Sequence, residues 1–501
     1  VVIDSTKKLP VKSYGINSKK INPASTVDPV TPAQMVGEPL TKLYNALVKG
    51  GFGTYTTPYL EFWYNGLRSK ENTYGVHLKH LSSSSTLKNY GYAGMSDDQV
   101  GLYGKKFLKE HSLIGNFNFS RNGLHFYGYD ANQISLSKKE TAQHFNYFGA
   151  NAELLSHYSK LSRFNHDIKL GFYNVTDAYK SSENNIKANG YVQTTFDKEL
   201  IKVNALVDYY NFRSPLDTIN NTIVALNPNF IADGDKYHAS LGITATLDIE
   251  GASKFYFHPK VEASYNIFDN IIVPYAGVTG GVKKNSFKSV TDENPFISSG
   301  AFLRNSITKF DVYGGLKGTL SSSIAYNVHA SYASIANMLF YVNDTTLPEN
   351  RFKLAYDDVN VLNLHGEVIY QMREKLRVLI GADYYNYKTT YEIRAWYKPQ
   401  VKLNLAINYN LSDKIIVKAD VFYFDNQYAK TYAYADDTTT KKIVAQELKG
   451  LFDLNIGAEY RYNKRLGFFL SLNNLANIRY FRYINYPTQR FSIMGGLSYA
   501  F

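Results

Sequence analysis

The sequence predicts an all-β chain closed into a transmembrane antiparallel β-barrel, and three observations predict it. Apolar and polar residues alternate with a period of two from about Leu43 to the last residue, the spacing that sends successive side chains to opposite faces of a strand. The chain carries 44 Tyr and 30 Phe against 2 Trp and 5 Met. Tyrosine is apolar in its ring and wet at its hydroxyl, so it suits both membrane–water boundaries of a barrel wall. No run of about 18 apolar residues exists to make a spanning helix. Barrel strands need only about ten residues each, half of them apolar, so the mean hydropathy stays slightly negative.

The elements follow in order. Residues 1–38 are polar, with Lys, Ser, Thr and Pro and no period, so residues 1–40 are expected to form an extended periplasmic arm and residues 41–501 the barrel. The opening VVIDSTKKLP has no basic-then-apolar leader, as expected if a secretory signal has already been removed. Within the barrel, Ile201, Val203, Ala205, Val207 and Tyr209 alternate with Lys202, Asn204 and Asp208. Leu241, Ile243, Ala245, Leu247 and Ile249 alternate with Gly242, Thr244, Thr246 and Asp248. Charged residues interleaved with apolar ones make sense only if the second face sees water. Tight turns are expected at Asp197-Lys198-Glu199, Arg373-Glu374-Lys375, Ser412-Asp413-Lys414 and Asn463-Lys464-Arg465. Longer polar connections are expected near 86–98, 131–142, 214–235, 285–305, 340–352, 432–444 and 481–490. This division yields about 21 strand-like segments, and an even count of about 22 is expected, with 16 to 20 possible. The parity is unsettled at 250–270, where Glu250-Gly251 and Phe268-Asp269-Asn270 both read as tight turns; Pro259 and Pro274 there suggest bulges or bends.

The final strand is the most informative stretch. Phe491, Ile493, Leu497, Tyr499 and Phe501 fall on one side, and Ser492, Met494, Gly496, Ser498 and Ala500 on the other. Upstream lie Asn474-Leu475, Asn477, Tyr480, Pro487 and Arg490. This ending resembles the C-terminus of TonB-dependent receptor barrels, departing at Thr488-Gln489, where that family often has a single Gly. Leu43 to Thr57 is similar, less closely, to the first barrel strand of the family. The resemblance implies a wide outer-membrane barrel of gram-negative bacteria with a folded plug inside. No plug is recognisable here, since the forty residues before the first strand are too few and too polar for a core. Something else is then expected to fill the bore: inward-folded loops, the N-terminal arm, large side chains of the bore wall or another protein. Phe422 and Phe424 fall on the bore side, opposite the lipid-facing Ile415, Val417, Ala419 and Val421, and read either as part of a packed interior or as a chance pair near the strand's outer end.

Residue types that carry chemistry are scattered. The 11 His form no HExxH motif. His77 and His80, three apart on a strand, face opposite ways. Four His-x-Ser pairs occur: His80/Ser82, His157/Ser159, His238/Ser240 and His329/Ser331. Residues i and i+2 share a strand face, as a Ser–His nucleophile needs, and some small outer-membrane lipid hydrolases use such a pairing on the lipid side. The strand phase sends His238/Ser240 and His329/Ser331 into the bore, and all four pairs are read as polar wall residues. Gly50-Gly51-Phe52-Gly53 and Gly280-Gly281 precede no helix and read as close strand contacts rather than phosphate loops. The net charge of +12 is read as Lys-rich turns and loops, with an anionic solute, lipopolysaccharide or an acidic partner as alternatives. Lys and Tyr are dispersed, which gives no basic stacking face for nucleic acid.

The expected function is a non-enzymatic subunit of an outer-membrane assembly, a plugless barrel in contact with lipid, lipopolysaccharide and other outer-membrane or periplasmic proteins. A passive solute channel with loops folded inside as a constriction and an uptake receptor whose plug lies outside this chain are the alternatives. No catalytic, metal or cofactor-binding residue is assigned, and no cofactor is expected.

Overall fold

The computed structural model describes residues 43–501 except 68, 158–163, 198 and 435–440; the expected arm, residues 1–40, lies outside the described residues. Twenty-two antiparallel strands form one closed sheet. Each barrel strand pairs with the next along the chain, and Ala46–Gly53 closes the ring against Ser492–Ala500, with Leu47 opposite Ala500. Closure leaves no open edge, the condition for a sheet to cross lipid. At this seam glycine is required by close approach. A Cβ on Gly496 would lie 2.2 Å from the Gly50 carbonyl oxygen and 2.4 Å from the Phe469 ring.

The two faces divide as the period of two demands. Leu60, Leu170, Ile186, Leu241 and Ile380 are more than half exposed on the outside, as are Phe52 and Leu497 at the seam. A wall this apolar has no place in water, and the molecule is an outer-membrane barrel. Asp208, Asn227, Thr246, Asp248 and Asp453 are buried on the bore side.

An even strand count returns both chain ends to one rim. That rim carries the short connections 234–236, 322–323, 373–375, 412–414 and 462–465, which makes it periplasmic. The opposite, extracellular rim carries the long ones: 84–94, 126–141, 284–305, 344–351, 390–400, 425–450 and 474–491.

One expected loop is a strand. Segment 214–235 is mostly strand Thr218–Asp233, which pairs on both sides, Asn227 with Asn204 and Phe230 with Leu241. Its Asn residues read as loop because they are polar, yet Asn221, Asn227 and Asn229 line the bore wall. Asn221 donates to Asp248 (3.0 Å), and Asn227 donates to the Thr244 hydroxyl (2.9 Å) and accepts from Asn204 (3.2 Å). This strand also settles the parity at 250–270. Gly251, at φ 72°, turns the chain at the extracellular rim, and 266–272 turns it at the periplasmic rim. Of the two prolines there, Pro259 sits just before the Val261–Ser264 pairing with Val278–Tyr275, as its missing N–H requires. Pro274 pairs in register with Leu316 without a bulge; the irregularity in that ladder falls at Thr279/Gly281.

Candidate functional site

The extracellular loops do not stand away from the barrel; they fold over its mouth and share a core. Its fully buried members include Phe287 and Val290 from the short helix Phe287–Glu293, Ile297 and Leu303 beyond it, Phe340, Tyr341 and Phe352 from strand ends, and Trp396 and Tyr486 from two further loops. Tyr486 is the hub. Its ring stacks on Phe296 (3.8 Å between centroids) and meets Tyr127 edge-on at 4.8 Å. Tyr483 packs 5.2 Å from both Phe352 and Tyr397.

Hydrogen bonds tie loops from different sectors of the ring. Asn350 donates to the Phe126 carbonyl (2.8 Å) and accepts at its own carbonyl from the Tyr486 hydroxyl. Tyr127 donates to the Pro487 carbonyl at 3.0 Å, and Tyr483 to that of Glu293 at 3.0 Å. Ser181 donates to the Ser299 carbonyl (2.6 Å), and Ser299 donates to Asp177 (2.5 Å). Trp396 donates to Glu392 (2.8 Å), which Lys430 clamps from the other side at 2.8 Å. Burial pushes the Tyr483 phenol up to about 12, and those of Tyr397 and Tyr486 well above their ordinary 10. All three therefore stay neutral donors inside the lid. Burial acts to raise the Glu293 carboxyl, but the Lys398 ammonium 3.2 Å away outweighs it and holds the group below its ordinary value.

The bore aromatics expected from sequence lie directly beneath this lid. Phe422 is buried against Leu451 and Tyr480, with Phe424 5.9 Å away, and Tyr480 donates to Asp453 at 2.8 Å. The sequence points to inward-folded loops as one filling of the bore and to Phe422 and Phe424 as bore-side residues, but to none of the residues of the lid core. The signal that could have found it is the density of Phe481, Tyr483 and Tyr486 in a connection expected to be polar.

Below the lid the bore is charged. Lys79 pairs with Asp97 (2.5 Å), Lys169 with Asp167 (3.1 Å) and Lys49 with Glu459 (3.6 Å). Lys187, Lys202 and Lys260 face the same space from strands Ser182–Phe196, Glu199–Arg213 and Ala252–Tyr265. Part of the positive charge read as loop lysines is thus in the barrel interior.

The histidines separate by face. His77, on the bore side, bonds Glu61 (2.8 Å) and stacks on Trp63, while His80 faces outward. His238/Ser240 and His329/Ser331 face the bore, as their phase requires. His238 bonds Asp233 at 2.5 Å, and His329 lies 4.9 Å from the His365 ring. His157 bonds Ser112 at 2.8 Å; Ser159 lies outside the described residues. His80 bonds Ser82 at 3.2 Å and Asp98 at 2.5 Å.

No protein-family model and no curated protein matches the sequence. Solved structures match over almost the whole barrel. The FrpB iron transporter of Neisseria meningitidis aligns with TM-score 0.70 at 10% identity, over 92% of this chain and 82% of that one. The pyoverdine outer membrane receptor FpvA of Pseudomonas aeruginosa aligns with TM-score 0.69 at 11% identity, over 93% and 79%. A variant of the ferric enterobactin receptor PfeA of Pseudomonas aeruginosa aligns with TM-score 0.66 at 12% identity, over 91% and 80%. At such identity these likenesses establish the fold: this is a barrel of the TonB-dependent receptor type.

Proposed function

We propose that this barrel is the membrane-spanning body of an outer-membrane uptake receptor, with the loop lid as its extracellular gate. The observation that carries the reading is the lid itself, a packed core drawn from loops around the ring and laid across a wide polar bore. A passive channel with loops folded inside as a constriction shares the inward loops, but a hydrophobic core joining loops around the ring supports a closed gate better than an open constriction. The accessory-subunit reading rested on a missing plug. The fold likeness to an iron transporter and to ferric enterobactin and pyoverdine receptors supports uptake instead. Lys187, Lys202 and Lys260 on the bore wall favour an anionic cargo, and a negatively charged ferric chelate is the class proposed. The plug that the resemblance implies is assigned to polypeptide other than residues 43–501. Outer-membrane lipid and lipopolysaccharide are the proposed surroundings of the apolar wall.

The chain's two tryptophans supply the test, since Trp63 lines the bore and Trp396 is in the lid. In a Trp63→Phe protein, fluorescence reports Trp396 alone. Titration with ferric catecholates and ferric hydroxamates should give a saturable change for at least one chelate and none for the iron-free chelator. A flat response to every ferric chelate at micromolar concentration would remove the proposal.

A further inference from the structure

The uptake reading leaves one side-chain cluster on the outer wall unused. His80 and Ser82, on strand Asn72–Ser83, share the outward face of Leu78. The Ser82 hydroxyl lies 3.2 Å from His80 Nε2, and Nδ1 of the same ring lies 2.5 Å from a carboxylate oxygen of Asp98 on the adjacent strand Met95–Phe107. Strand register creates the arrangement, because His80 stands opposite Asp98 and Ser82 opposite Ser96. An acyl-transfer triad uses the ring nitrogens in this way: the nucleophile's proton goes to Nε2, while the carboxylate fixes the tautomer through Nδ1. We propose that Ser82, His80 and Asp98 form a serine-hydrolase site that cleaves the acyl ester of a lipid in the surrounding outer leaflet.

The location suits that substrate. His80 is three residues from the extracellular end of its strand, roughly 10 Å below the rim at about 3.3 Å per residue. Below and beside it the wall is apolar. Leu60 stands opposite His80, Val100 opposite Leu78, and Phe119 opposite Val100, while Leu102 is exposed one step further down. Above it the face turns polar at Ser82 and Ser96. A lipid lying along this wall has its chains on the leucines and its ester carbonyls at the level of Ser82. Arg121 stands opposite Asp98 on the same face and offers a cation to the lipid phosphate.

A purely structural role fits less well. Polar groups that stabilise a fold by bonding one another are normally buried, whereas the His80 and Asp98 side chains are 45% and 41% exposed. His238 and His365 hold a carboxylate on Nδ1, and His157 holds a serine on Nε2; His80 holds both.

The step balances without a further reagent. Ser82 Oγ adds to the ester carbonyl carbon as its proton passes to His80 Nε2. The tetrahedral adduct expels the lipid alcohol, which takes the proton from His80, and leaves an acyl-Ser82 ester. Water then adds to that ester with His80 as base, releasing a fatty acid and restoring the Ser82 hydroxyl.

The test uses the full chain purified in detergent, with a fluorophosphonate probe and mixed micelles of phosphatidylethanolamine. Wild type should be phosphonylated on the peptide containing Ser82 and should release fatty acid. Ser82→Ala and His80→Ala should lose at least about a hundredfold in rate, and Asp98→Asn should lose rate without losing the serine. Heat-modified gel migration confirms that each variant is a folded barrel, and none of these outward side chains enters the lid or the bore. Fatty-acid release by wild type no faster than by folded Ser82→Ala, together with no probe on Ser82, would overturn the proposal.

Discussion

Replacing Trp396 with alanine isolates the packing of the lid from the stability of the barrel. The indole is fully buried, donates to Glu392 at 2.8 Å, and lies 6.0 Å from the Lys430 ammonium that holds the same carboxylate. Truncating a buried tryptophan costs about 3–5 kcal/mol in lost transfer energy and cavity. None of the barrel's strand pairings runs through Trp396, so the loss should fall on the loops rather than on the sheet. At about 1.4 kcal/mol per tenfold, the open-lid population should rise by about a hundredfold to a few thousandfold. Amide hydrogen exchange reads this directly, comparing 481–486 and 287–293 with the barrel strand Val401–Leu411 in the same sample. The expected result is faster exchange of lid amides with unchanged strand amides. If lid amides exchange as in wild type, the loops are not held by this core. If strand and lid exchange accelerate together, the lid and barrel form one cooperative unit and the gate reasoning fails.

Other substitutions probe other links. Glu293 is held below its ordinary carboxyl pKa of 4.5, chiefly against the upward pull of burial, by Lys398. A carboxylate depressed in the folded state stabilises above its unfolded pKa and loses that contribution as pH falls through the folded value. Lid protection should therefore weaken in acid below about pH 4.5, and Glu293→Gln should flatten that dependence. Asn227→Leu strips partners from Asn204, Thr244 and Lys260 on the bore wall. It should destabilise the barrel by about 1–3 kcal/mol, seen as a lower gel-shift melting temperature. Leu226→Arg puts a charge on the lipid face at mid-strand and should cost about 2–4 kcal/mol in vesicle folding assays. Ala225→Arg, one residue away but facing the bore, should cost much less; equal costs would refute the assignment of faces.

The barrel wall was legible in the sequence because a period of two reports which medium each face meets. The last strand, the turns at 373–375, 412–414 and 463–465, and the bore position of Phe422 could all be read from that period. Thr218–Asp233 escaped because Asn221, Asn227 and Asn229 look like loop residues until their bonding partners on neighbouring strands are known. Inward-folded loops were among the expected fillings of the bore, but the residues that make the lid escaped for a deeper reason. Its core joins residues as distant as Phe126, Asn350 and Tyr486, and irregular loops carry no period to announce such contacts. The outward phase of His80 and Ser82 was within reach, since Leu78 shares their face; Asp98 was not, because only register places it beside His80.

In an uptake receptor closed by this lid, cargo must pass through the lid as a gate. The chain has no cysteine, and Ser181 and Ser299 meet across two lid loops through a 2.6 Å hydrogen bond, so Ser181→Cys with Ser299→Cys offers a clean lock. Cells expressing this variant should take up iron from a bound ferric chelate when the thiols are reduced, lose that uptake when the pair is oxidised, and regain it on reduction. Uptake that continues unchanged with the loops covalently joined would contradict the gate and the receptor reading built on it.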